Sequence, residues 1–140
     1  MEAEPEGESE QRVRVLFVED EHDVRTKMCE LLTAAGLEIV EATDGEDALE
    51  KLREGAAFDA LVTDVRMPRM NGLELLEKIN LWWPELSSRT IVISGVVDDS
   101  LSFPPHFVLL RKPCDTSHLL DALHACGVKQ ISRRSESWRQ

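Results

Sequence analysis

Apolar residues along the chain alternate between two patterns. Five short runs rich in β-branched residues are too short for helices: VRVLFV (Val13 to Val18), LEIVEA (Leu37 to Ala42), FDALVT (Phe58 to Thr63), TIVIS (Thr90 to Ser94) and FVLL (Phe107 to Leu110). All five read as strands, and VRVLFV and the Ala60 to Thr63 part of the third run fit strands of a parallel sheet covered on both faces. Between them, apolar residues recur at helical spacing. Val24, Met28, Leu31, Leu32 and Ala35 predict a first helix that stops at Gly36. Ala48, Leu49 and Leu52 predict a second, capped by Thr43 or Asp44 and ended by Gly55. Leu73, Leu76 and Ile79 predict a third, preceded by the loop signals Pro68 and Asn71-Gly72 and stopped by Pro84. Leu119, Leu120 and Leu123 predict a fourth, closed by Gly127.

Strand alternating with helix predicts an α/β domain with a parallel sheet and right-handed crossovers. The alternation weakens between the fourth and fifth strands. There GVVDDSLSFPPHF contains Gly95, Ser102 and the Pro104-Pro105 pair, and each proline removes an N–H and clashes with the preceding turn. A short or irregular crossover is expected, leaving four full helices.

Composition narrows the function classes. A chain of 140 residues with 42% hydrophobic content buries one core without disulfides or metal. The net charge of -11 argues against a nucleic-acid surface, which needs clustered Lys and Arg to displace counterions, and points to protein or small-anion partners. Residues 1–11 carry Glu2, Glu4, Glu6, Glu8 and Glu10 and read as a disordered acidic tail. Residues 12–127 read as the folded domain. Residues 128–140, with Lys129, Arg133, Arg134, Arg139 and Trp138, read as a flexible basic end. No run approaches the roughly 20 apolar residues that span a bilayer, and no signal peptide opens the chain, so a cytoplasmic protein without a membrane partner is expected. Cys29, Cys114 and Cys126 form neither an even set nor a metal-ligand spacing, which fits a reducing compartment. Cys29 and Cys126 read as small residues of helix faces.

In an open parallel sheet, ligands bind beyond the carboxyl ends of the strands. Glu19 and Asp20 follow the first strand, Asp64 the third, Ser94 ends the fourth, and Arg111, Lys112 and Pro113 follow the fifth. Carboxylates gathered there need protons or a cation to offset their repulsion, and oxygen donors suit Mg²⁺. A metal beside a carboxylate, a hydroxyl and an ammonium makes a phosphoryl-shaped site. Asp64 is then the nucleophile, with Ser94 and Lys112 each holding a phosphoryl oxygen. Taken singly, each residue reads as a helix cap or ion-pair partner; taken together at separate strand ends, they read as a site.

From Val13 to Cys126 the sequence resembles a response-regulator receiver domain, the phosphoacceptor half of two-component signalling. The resemblance rests on VLFVED at Val15 to Asp20, LVTDVRMPRMNG at Leu61 to Gly72, IVISG at Ile91 to Gly95 and RKP at Arg111 to Pro113. It implies a flavodoxin-like, doubly wound sheet of five parallel strands in the order 2-1-3-4-5. It also implies phosphorylation of Asp64 by a sensor histidine kinase or a histidine phosphotransfer protein. Asp20, Asp64 and the main-chain carbonyl of Arg66 are the implied Mg²⁺ ligands, with Glu19 in the acidic pocket reaching the metal through water. Ser94 is the implied switch hydroxyl and Lys112 the phosphate-binding cation, with Gly95 and Pro113 shaping the backbone at the site.

The chain departs from the family pattern in two places. Glu19 stands where Asp is often found, and Leu109 stands where Tyr or Phe usually precedes the Lys by three residues. Phe107, on the same strand face as Leu109 by the two-residue alternation, reads first as core packing. His22 reads as solvent-facing in the first helical turn. Trp82 and Trp83 read equally as a partner anchor or as a cap on the sheet's lower edge.

The expected function is a phosphorylation-dependent signalling receiver that changes conformation to regulate a protein effector. It assists its own phosphorylation and dephosphorylation rather than serving as an enzyme. The residues after the last helix are too few for a DNA-binding output unit. The alternative is a pseudo-receiver, an interaction domain that works without phosphorylation. A phosphohydrolase of the haloacid dehalogenase type requires a second Asp two residues after the nucleophile, where this chain has Arg66.

Overall fold

Short β-branched runs and longer amphipathic stretches sort into strands and helices in the computed structural model, which describes residues 13–55, 57–64, 72–94, 108–111 and 115–125. In chain order they are β1 (Arg14–Val18), α1 (His22–Ala34), β2 (Glu38–Ala42), α2 (Gly45–Arg53), β3 (Ala60–Asp64), α3 (Gly72–Trp82), α4 (Pro84–Ser87), β4 (Thr90–Ser94), β5 (Val108–Arg111) and α5 (Thr116–Ala125). The five strands form one parallel sheet in the order β2-β1-β3-β4-β5. This is the doubly wound order that the resemblance implies. The fourth crossover falls on residues 95–107, which with the two tails lie outside the described residues. No helix among the described residues is long and apolar enough to cross a membrane.

The sheet separates two cores because strand side chains alternate in direction. On one face Val15 and Phe17 of β1, Ala60 and Val62 of β3, and Ile91 and Ile93 of β4 pack against Cys29 and Leu32 of α1 and Leu119, Leu120 and Leu123 of α5. On the other, Leu16, Val18 and Leu61 pack against Ala48, Leu49 and Leu52 of α2, Leu75 and Ile79 of α3, and Leu86 of α4. β3 and β4 are buried at every position, as expected for parallel strands covered on both sides.

α1 ends in a Schellman turn. Leu37 N–H donates to the Leu32 carbonyl at 3.2 Å and Gly36 N–H to the Thr33 carbonyl at 3.0 Å, while Gly36 takes a φ of 104° that a side chain would resist. The inward face of α1 differs from the expected one. Val24 and Leu31 are exposed, whereas Arg25, Cys29 and Leu32 are buried. The helix is turned so that positions 25, 29 and 32 meet the sheet, which is possible because Arg25 finds polar partners there. Burial first, and then the neighbouring Glu41 carboxylate, push the Cys29 thiol up to about 12, so it stays protonated and packs as a small apolar group.

Pro84 does more than stop a helix. α3 ends at Trp82, and Pro84 then opens α4 at the first helical position, where its missing N–H costs nothing. The Thr90 hydroxyl donates to the Leu86 carbonyl at 2.8 Å and ties this turn to β4. The two tryptophans differ in burial. Trp83 packs against the second core, whereas Trp82 remains half exposed with the Arg53 and Lys78 cations 5.9 and 5.4 Å from its ring centre.

α2 is capped by Asp44, whose side chain accepts from Asp47 N–H at 2.9 Å. Asp47 in turn accepts from Thr43 N–H at 2.9 Å and Lys51 Nζ at 3.0 Å. Partial burial pushes the Asp47 carboxyl up, but the Thr43 N–H, the Lys51 ammonium and the Thr43 hydroxyl together hold it below its usual range. Because folding lowers this pKa, its stabilisation is complete above the unfolded value near 3.8 and is lost as pH falls through the folded value. In urea titrations Asp47→Asn is expected to unfold earlier than wild type at about pH 5, the gap closing towards about pH 3.

Candidate functional site

Strand register carries the polar groups to one edge. Val18 pairs with Thr63, Asp64 with Ile93 and Ser94 with Arg111, so β1, β3, β4 and β5 finish side by side. Glu19 continues β1 by one step, its N–H donating to the Ala42 carbonyl of β2 at 3.0 Å. The carboxyl edge therefore carries Glu19 and Asp20 beside Asp64, with Ser94 on the next strand. Glu19, Asp64 and Ser94 are 5, 8 and 5% exposed, while Asp20 is exposed. A charged strand end can be buried to this degree only where polar groups or a cation surround it.

Asp64 shares strand parity with Ala60 and Val62, which face α1 and α5. Ser94 shares parity with Thr90 and Val92, one residue beyond the Ile93 that pairs with Asp64. The Thr63 hydroxyl donates to the Asp64 carbonyl at 2.9 Å and fixes the peptide that leaves the strand. The Glu19 carboxylate folds back on its own turn, with Oε2 accepting from Glu21 N–H at 3.1 Å.

Arg25 stands behind this turn and was not singled out by the sequence patterns. Its Nη1 donates to the Glu19 carbonyl at 2.8 Å, its Nε to the Glu41 carboxylate at 3.1 Å, and its Nη2 lies 3.2 Å from His22 Nδ1. The signal was present: Arg25 lies four and seven residues before Cys29 and Leu32, on the inward stripe. His22 itself is exposed, as expected.

Among the described residues, no group of three or more His, Cys, Asp or Glu side chains comes together to hold a metal ion. The donors present do not build an all-carboxylate cage. They fit Mg²⁺ nonetheless, because this ion binds through one or two carboxylates and keeps several waters. Asp20, exposed, and Asp64, at the strand end, are hard oxygen donors of that kind. Arg66, Gly95, Lys112 and Pro113 lie outside the described residues, as do Phe107, Cys114 and Cys126. Leu109 is 47% exposed, while its neighbours Val108 and Leu110 pack against the core.

Comparison with known proteins shows the family of the chain. A family model described as the response regulator receiver domain matches residues 15–124. The chain is 34% identical over 111 residues to the response regulator receiver protein Anae109_2439 of Anaeromyxobacter sp. (strain Fw109-5), covering 77% of this chain and 46% of that protein. It is 36% identical over 115 residues to the response regulator receiver protein CpdR of Brucella abortus (strain 2308), covering 79% of this chain and 91% of that one. Among solved structures, the receiver domain from the hybrid histidine kinase CckA aligns with a TM-score of 0.66 at 36% identity, covering 85% of this chain and 99% of that one. The chain thus spans less than half the length of the Anaeromyxobacter protein and nearly all of CpdR.

Proposed function

Because the chain belongs to the response regulator receiver family, we propose that Asp64 accepts a phosphoryl group from a phosphohistidine of a sensor histidine kinase or histidine phosphotransfer protein. The modified domain, a unit spanning residues 12–127 and working in the cytoplasm, then changes conformation and regulates a protein effector. The observation that carries this reading is the placement of Asp64. It is the last residue of a strand buried on both faces, with Glu19 and Ser94 closing the same edge.

In the transfer, a carboxylate oxygen of Asp64 attacks phosphorus. The phosphorus–nitrogen bond to the donor imidazole breaks, and the leaving nitrogen takes up a proton. The Ser94 hydroxyl and the Lys112 ammonium each hold a phosphoryl oxygen, spreading the charge over two elements of the edge. Mg²⁺ held by Asp20, Asp64 and the Arg66 carbonyl supplies further charge neutralisation when bound. Glu19, whose Oε2 accepts from Glu21 N–H, would reach that site through water. The domain thereby assists its own phosphorylation and dephosphorylation without turning over a separate substrate.

Incubating the chain with Mg²⁺ and acetyl phosphate tests the reading. The expected product is one acid-stable, base-labile phosphoryl adduct by intact mass. A folded chain that takes up no phosphoryl group, from acetyl phosphate or from a phosphohistidine donor, supports the pseudo-receiver instead. Leu109 favours that second reading, since an exposed aliphatic side chain replaces the aromatic expected there.

A further inference from the structure

Asp20 is exposed, so its own side-chain packing does little to fix where its carboxylate points. Its backbone is nonetheless held on both sides. The carbonyl that precedes it, of Glu19, accepts from Arg25 Nη1 at 2.8 Å. The N–H that follows it, of Glu21, donates to Glu19 Oε2 at 3.1 Å. Arg25 N–H also donates to the Glu21 carbonyl at 2.9 Å, so one residue of α1 grips the turn through side chain and backbone together.

The guanidinium is itself fixed. Its side chain is 11% exposed, and Nε donates to the Glu41 carboxylate of β2 at 3.1 Å. A planar fork with several donors can serve the Glu19 carbonyl and Glu41 at once, which a single ammonium does with much less directional control. A buried cation behind an acidic turn would by itself oppose a second cation. Here the Glu41 carboxylate offsets that charge, leaving geometry as the main effect.

Resting on the function proposed above, we infer that Arg25 is a positioning residue for the Mg²⁺ site: by clamping the Glu19 carbonyl to Glu41 it sets the direction of the Asp20 carboxylate. Groups that orient a metal ligand from behind commonly change metal affinity by roughly 10–100-fold when removed. Arg25→Met is therefore expected to weaken Mg²⁺ binding by about tenfold in calorimetry. Arg25→Lys, which keeps the charge but not the fork, is expected to weaken Mg²⁺ as well. In the metal-free protein, amide exchange at Asp20 and Glu21 accelerates in both variants, while the β1 and β3 amides stay protected.

Glu41→Ala removes the second anchor from a half-exposed position and guards against an Arg25 variant that fails to fold. It is expected to shift Mg²⁺ affinity and Glu21 exchange in the same direction by a smaller factor. Unchanged or tighter Mg²⁺ binding in folded Arg25→Met, wild-type binding in Arg25→Lys, or, should Arg25→Met not fold, an unaltered Glu41→Ala overturns the inference. Those results leave the proposed function standing. A wild-type chain that binds no Mg²⁺ overturns both.

Discussion

Asp64→Asn is expected to lose the phosphoryl adduct that acetyl phosphate and Mg²⁺ leave on the wild-type chain, a fall of roughly a thousandfold or more in incorporation. The exchange is close to isosteric, so β3 and its pairing with β1 and β4 survive. What disappears is the anionic oxygen, and a neutral amide oxygen is a far weaker nucleophile towards phosphorus. Neighbouring carboxylates are poor substitutes. Glu19 holds the Glu21 N–H, and Asp20 lies in the exposed turn beyond β1 rather than at the end of β3. Intact mass reads the result directly, with a urea titration to show that the variant is folded. An adduct that persists in Asp64→Asn moves the site to another residue.

Leu61→Ala is expected to produce a large loss of stability, about 3–4 kcal/mol within the range for Leu truncation in cores. Leu61 is fully buried on β3, the central strand, between the helices of one face and its neighbours on β1 and β4. The change removes apolar surface from the core and leaves a cavity that a sheet paired on both sides cannot close. For a domain whose total stability is on the order of 5–15 kcal/mol, that shifts the urea midpoint by a large fraction of its value. Leu81→Ala is the matched control, because that side chain is 71% exposed, and a change within about 0.5 kcal/mol is expected. Equal losses at the two positions would contradict the burial of β3. The same strand carries Asp64, so stability and the proposed chemistry share one element.

Much of the fold was legible because its signals are local. β4 was bounded correctly by its apolar run, and the other strands were placed within two residues. Gly36 and Gly55, with φ of 104° and 90°, end helices where the sequence expected stops. The candidate site was legible for a related reason. Asp64 and Ser94 are the terminal residues of β3 and β4 and Glu19 directly follows β1, so finding the strands also found these groups.

The misread parts depend on contacts between elements distant in sequence. Val24 and Leu31 looked like core and are exposed, whereas Arg25, which the hydrophobic pattern passed over, is buried. Hydrophobic spacing gave no weight to an inward Arg, since its partner Glu41 lies 16 residues away on β2. Pro84 was read as an end and is also a beginning, because Leu86 below it fills the second core.

By itself, the sequence determined the alternation of the five strands with the four longer helices, the burial of β3 and β4 on both faces, and the arrival of Glu19, Asp64 and Ser94 at the carboxyl edge. These follow from side-chain period and from chain-local stops. The tertiary structure decided which side of α1 turns inward, how Glu19 closes on Glu21, and that a guanidinium stands behind the Glu19–Asp20 turn. A charged side chain goes inside only when a partner is waiting there to replace water, and that partner is brought by the fold.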